Sequence, residues 1–119
     1  MTVEGARGTE HVNGKQTLGE NLADAGGLNA AYKVWKQYAH DNEELALPGL
    51  ESFSLPQVFF LSYGNVWCTK ATKEYLTRAV LTDPHAPGAL RPVGSAMMNS
   101  RDFREAFQCP TKEPVCELW

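Results

Sequence analysis

The sequence predicts a mainly α-helical chain, on three observations. Apolar residues recur at three- and four-residue steps over positions 18–39, and a second apolar run fills 55–67. Helix-start signatures stand just before both, as Thr17 with Glu20 and Ser54 with Gln57. The elements follow one another without the alternation or hairpin turns of a sheet protein. With 119 residues, 43% hydrophobic and 21% charged, the chain has the size of one domain or a piece of one. A net charge of −3 gives no basic footprint for nucleic acid, and no apolar run reaches the 18 residues needed to cross a bilayer.

Residues 1–16 are polar and glycine-containing without a steady period, and read as a flexible lead-in. A capping box at Thr17 and Glu20 then opens the first helix, whose stripe of Leu18, Leu22, Ala25, Leu28, Tyr32, Trp35 and Ala39 ends near His40. Gly26 and Gly27 interrupt it. Each costs about 1 kcal/mol of helix propensity relative to alanine, so the pair predicts a break or the close approach of another backbone.

A connection follows, acidic at Asp41, Glu43 and Glu44, with a turn at Pro48-Gly49. Ser54 caps the second helix, about Leu55 to Cys68, with Pro56 in its first turn. Phe59, Phe60, Tyr63 and Trp67 give that helix more aromatic surface than one small helix pair can bury. A third helix, roughly Lys73 to Leu81, takes Thr72 as its cap. TDPHAPGALRPVG at 82–94 carries Pro84, Pro87 and Pro92 and reads as a loop stiffened by proline, a common carrier of functional side chains. A short helix from Arg101 to Phe107, capped by Asn99 with Asp102 in its first turn, precedes a tail whose Cys116, Leu118 and Trp119 predict a docked end.

Two groups of residues invite chemistry. Glu20 and Asp24, four apart, share a helix face and could meet one cation, or a cation and its histidine ligand. The plainer use of the same acids is to oppose the helix dipole. On the proline-rich loop, His85 could donate to a developing oxyanion and Arg91 could grip a carbonyl or carboxylate, with Asp83 orienting either one. The plainer reading is a surface loop with an Asp83–Arg91 contact worth well under 1 kcal/mol. No H-E-x-x-H occurs, so the two histidines and general-base glutamate of a zinc peptidase are absent from the sequence. Cys68, Cys109 and Cys116 make an odd count with no C-x-x-C: at least one thiol is free, bound elsewhere or paired with sequence not present. Reduced, buried thiols are the bland alternative.

VNGKQTLGENLADAGGLNAAY at 12–32 closely resembles the segment of the neprilysin and endothelin-converting-enzyme family that carries the third zinc ligand. LPGL at 47–50, QVFFLSYGNVWC at 57–68, TDPHAPGALRPVG at 82–94, NSRDFREAFQC at 99–109 and CELW at 116–119 follow in that family's order, so the resemblance covers 12–119. It implies a fold, the C-terminal helical portion of a gluzincin-type metallopeptidase catalytic domain over 17–119. It also implies an activity, zinc-dependent cleavage of peptides on the amino side of hydrophobic residues, in an extracellular or cell-surface ectodomain whose membrane anchor is not in this chain.

By match to the motifs, Glu20 resembles the third zinc ligand and Asp24 the carboxylate that supports a ligand histidine in the catalytic site. His85 resembles the transition-state histidine, Arg91 the substrate-binding arginine and Asp83 the acid that positions the loop. Pro84 and Ala86 depart from the more usual valine and serine, and Pro84 removes a backbone donor. In that family the cysteines matching Cys68, Cys109 and Cys116 pair with cysteines upstream. The resemblance implies that the partners of this chain are peptide substrates and the upstream half of the same catalytic domain, while composition leaves no expectation of nucleic acid or of membrane contact from this segment. One zinc-binding glutamate and one supporting acid cannot hold catalytic zinc against water, so the isolated chain is expected to be inactive. A truncated remnant acting as a peptide-binding or interaction module is the alternative.

Overall fold

The computed structural model describes residues 1–110, apart from the side chains of Val93 and Ser95. The expected docking of the tail, with Cys116, falls outside the described residues.

The chain opens on a β-hairpin, which corrects the expectation of an irregular lead-in. Strands β1 (Thr2–Gly5) and β2 (Gly8–His11) pair antiparallel with Thr2 opposite His11 and Gly5 opposite Gly8. Gly8, at φ +102°, takes the left-handed conformation that closes so tight a turn, a conformation open to glycine without steric cost. The hairpin is held by tertiary contacts that no local pattern announces. The Ala6 amide donates to Thr77 Oγ1 at 2.9 Å, and Thr77 Oγ1 donates to Glu10 Oε1 at 2.9 Å. Gly5 lies so close to this knot that a Cβ there would collide with the Thr77 hydroxyl.

Helix α1 spans Leu18–Asp41 and runs through Gly26 and Gly27 without a break. Nothing lies within 4 Å of where a Cβ on Gly27 would sit, so no close approach explains that glycine. Thr17 does not cap α1 with its side chain. It is buried instead: its hydroxyl donates to the Asn13 carbonyl at 3.2 Å and accepts from Asn21 Nδ2 at 3.1 Å.

Helix α2 is Leu55–Val66, two residues shorter than expected, and carries the full capping box between Ser54 and Gln57. The Gln57 amide also donates to the Ala106 carbonyl at 2.9 Å, joining α2 to the last helix. Helix α3, Lys73–Thr82, starts with the Thr72 hydroxyl accepting from the Tyr75 amide. The proline-rich stretch is more regular than a plain loop. A 3₁₀ turn at Gly88–Leu90 runs into a π-helical turn at Pro92–Ala96 and a second 3₁₀ turn at Met97–Asn99. Prolines at 87 and 92 stand just before or at the first position of these turns, where their missing N–H is not needed. Helix α4, Arg101–Ala106, is capped by Ser100 rather than Asn99.

Leu28 and Tyr32 of α1, Phe60 of α2, Ala96 and Met97 form the buried core. Phe60, 1% exposed, stacks on Tyr32 at 4.9 Å between ring centroids and meets Phe103 edge-on at 5.3 Å. Packing along α1 is uneven. Leu28 and Tyr32 are sealed, whereas Leu18, Val34 and Tyr38 stay exposed. On α2 likewise, Phe60 is buried while Leu61 and Val66 face outward. The core thus anchors the middle of α1 and leaves its first turn free to face the segment that follows α3.

Candidate metal and substrate site

The first turns of α1 present Glu20 and Asp24 one turn apart. Across this face runs the segment from Asp83 to Arg91, and the two stretches meet through paired charges. His85 Nε2 lies 3.1 Å from Glu20 Oε2, and His85 Nδ1 lies 2.8 Å from Asp83 Oδ1. The His85 backbone amide donates to the same Asp83 oxygen at 2.9 Å, which fixes the loop immediately before the ring. Each ring nitrogen of His85 thus faces a carboxylate oxygen. These hydrogen bonds to the His85 backbone and ring hold the Asp83 carboxyl below its ordinary value.

Arg91 reaches Asp24 with two parallel bonds, Nε to Oδ2 at 2.7 Å and Nη2 to Oδ1 at 2.6 Å. The pair is largely shielded, with side chains 14% and 11% exposed. On one flat side the guanidinium covers the Trp67 ring, its Cζ 4.1 Å from the ring centroid. The hydrogen bonds that Arg91 donates to Asp24 raise the Arg91 pKa further above its already high value. Burial and then the Asp24 charge push the Tyr63 hydroxyl up as well. The Tyr63 hydroxyl and Trp67 Nε1 are both buried without a hydrogen-bond partner among the described residues.

All five residues singled out on the two sequence stretches therefore sit in one cluster, but their pairing differs from the plain surface-loop reading. Asp83 contacts His85 rather than Arg91, and Arg91 is committed to Asp24. Sequence reasoning missed Tyr63 and Trp67 as members of the site. Their signal is the i, i+4 spacing toward the end of α2, where the sequence alone reads both as apolar surface. It also missed Gln16, whose side chain reaches the Asp83 carbonyl. Beside the cluster lies an open cavity of about 820 Å³ whose walls include Trp67, Lys70, Tyr75, His85, Pro87 and Arg91.

A catalytic zinc ion takes three protein ligands and keeps one position open. Among the described residues, no group of three His, Cys, Asp or Glu side chains is arranged to hold a metal ion. The described residues therefore do not fit a self-contained zinc site; Glu20 fits as a single carboxylate donor. Cys68 is exposed and Cys109 partly exposed, both as free thiols among the described residues, which goes against the alternative of buried thiols at these two positions. Among the described residues no helix is long and apolar enough to cross a membrane.

The sequence model of peptidase family M13 matches residues 1–117, and so takes in the hairpin as well as the helices. An endothelin-converting enzyme homolog of Locusta migratoria is 47% identical over 116 residues, covering 92% of this chain and 16% of the relative. Neprilysin of Oryctolagus cuniculus is 43% identical over 118 residues, covering 94% of this chain and 16% of the relative. Among solved structures, a chain of the Haemonchus galactose containing glycoprotein complex superposes with a TM-score of 0.78 at 41% identity, over 88% of this chain and 18% of that one. The chain thus spans about one sixth of the length of these curated relatives.

Proposed function

The chain belongs to peptidase family M13, and from that premise we propose that it contributes part of the active site of a zinc metalloendopeptidase. In this reading Glu20 is the third zinc ligand, beside two histidines that lie outside this sequence, and Asp24 supports the ligand set while fixing Arg91. A zinc ion held in part by Glu20 would supply Lewis acidity and lower the pKa of a bound water. His85, aligned by Asp83, donates from Nε2 to the developing oxyanion. Arg91, held flat by Asp24 and Trp67, grips a backbone carbonyl or terminal carboxylate of the peptide on the leaving side. Peptides cut on the amino side of hydrophobic residues are the proposed substrates, and the cell surface or extracellular space the proposed location. Cys68, Cys109 and Cys116 are proposed to pair with cysteines beyond this sequence.

The observation that carries the proposal is the 3.1 Å approach of His85 to Glu20 across 65 positions of sequence, with Arg91 locked to Asp24 beside it. A bland surface loop has no need to bring both chemistry-bearing stretches to one face.

The test is a chimera in which this chain replaces the matching segment of rabbit neprilysin. Retained zinc and peptidase activity are expected, with zinc content lost in Glu20→Gln and kcat lowered about a hundredfold in His85→Ala. A chimera that binds zinc and turns over equally well with both substitutions would overturn the reading. The 119-residue chain alone is expected to hold less than one zinc ion and to show no turnover, since it offers one zinc-binding carboxylate.

A further inference from the structure

Gln16 stands in the turn just ahead of α1, where its own backbone is fixed: Asn13 Oδ1 accepts from the Lys15 amide at 3.1 Å and from the Gln16 amide at 3.3 Å. Its side chain leaves this turn and crosses to the end of α3. There Nε2 donates to the Asp83 carbonyl at 2.6 Å and reaches the Val80 carbonyl at 3.5 Å. The carbonyls of a helix's last turn have no partner within the helix, so a donor from elsewhere meets an unfilled need. Asp83 is also the residue whose carboxylate carries the His85 ring and amide. His85 in turn meets Glu20, one helical turn along from Gln16. The contacts close a ring: Gln16 to Asp83, Asp83 to His85, His85 to Glu20, and back along α1.

We infer that Gln16 is a positioning residue, whose amide ties the start of α1 to the Asp83–His85 segment and so sets His85 over Glu20. Its meaning for catalysis rests on the function proposed above; the tether itself does not. The amide is suited to this use because it offers two hydrogens to two carbonyls. Losing the donor leaves the Asp83 carbonyl half-buried without its partner, and the segment can then lift from α1.

Amide hydrogen exchange on the full 119-residue chain, without zinc or peptide, tests the tether. Gln16→Leu has similar reach but no donor, and is expected to speed exchange of the His85 amide about fivefold to tenfold while leaving the Phe60 amide of α2 unchanged. Gln16→Lys, which restores a donor of sufficient reach, is expected to stay within about twofold of the parent. Unchanged His85 exchange in Gln16→Leu, equal loss in both variants, or an unprotected His85 amide in the parent would each overturn the tether. In the neprilysin chimera, Gln16→Leu is expected to lower kcat about tenfold with KM unchanged, the mark of a misplaced oxyanion donor. A tether intact by exchange in a chimera indifferent to His85→Ala sinks the peptidase reading alone, whereas an absent tether in an active chimera sinks this inference alone.

Discussion

Arg91 and Asp24, 67 positions apart, make a two-pronged ion pair that is almost shielded from solvent. Such a pair holds geometry firmly because two parallel bonds fix both distance and plane. It also makes each partner dependent on the other, since removing one leaves the other's charge shielded from water without its counter-charge.

Removing one partner should therefore cost more than removing both. Asp24→Ala or Arg91→Ala is expected to lower the unfolding free energy by about 3 kcal/mol, while Asp24→Leu combined with Arg91→Met recovers most of that loss. Urea unfolding of the four proteins checks this. Additive losses in the double variant would mean that the two charges do not depend on each other.

The acid at position 83 makes stability depend on pH in a defined direction. Hydrogen bonds from the His85 backbone and ring hold its folded-state pKa below the ordinary 3.8. Its contribution is thus complete above that ordinary value and disappears as the pH falls through the lower folded value. The difference in stability between the parent and Asp83→Asn should be present above the ordinary value and vanish in strong acid. Because the side chain is 39% exposed, screening keeps it below about 1 kcal/mol. Thermal melts across an acid pH series give the measurement, and a difference that grows toward low pH would contradict the assignment.

Gly27 gives a prediction of the opposite sign. It occupies the interior of α1 with open space where a side chain would go. Gly27→Ala is expected to raise stability by about 0.5–1 kcal/mol, through helix propensity and a less floppy unfolded chain. Calorimetry should show a melting point higher by a few degrees; a lower one would mean that another surface uses this space.

The parts of the fold legible from sequence are those decided within one turn of chain. The Ser54–Gln57 box and the Thr72 cap each close over three residues, and both are present as read. Thr17 carried the same signature and misled, because the Asn13 turn before it buries its hydroxyl for another purpose. The hairpin at 2–11 was illegible for a related reason: Thr77, more than 65 residues away, supplies the hydrogen bonds that hold it. In the site, spacing alone placed Glu20 and Asp24 on one face. Which loop residue each would meet depended on how α3 ends against Gln16, and no local pattern encodes that.

The unbroken course of α1 past its glycines makes the helix a lever. Trp35 lies about 22 Å along the axis from Glu20, at 1.5 Å of rise per residue. A disturbance of the aromatic cluster around Trp35 and Phe59 would not be absorbed at a hinge between them. It would swing the far end, so the position of the Glu20 carboxylate is governed partly by rings that never come near it.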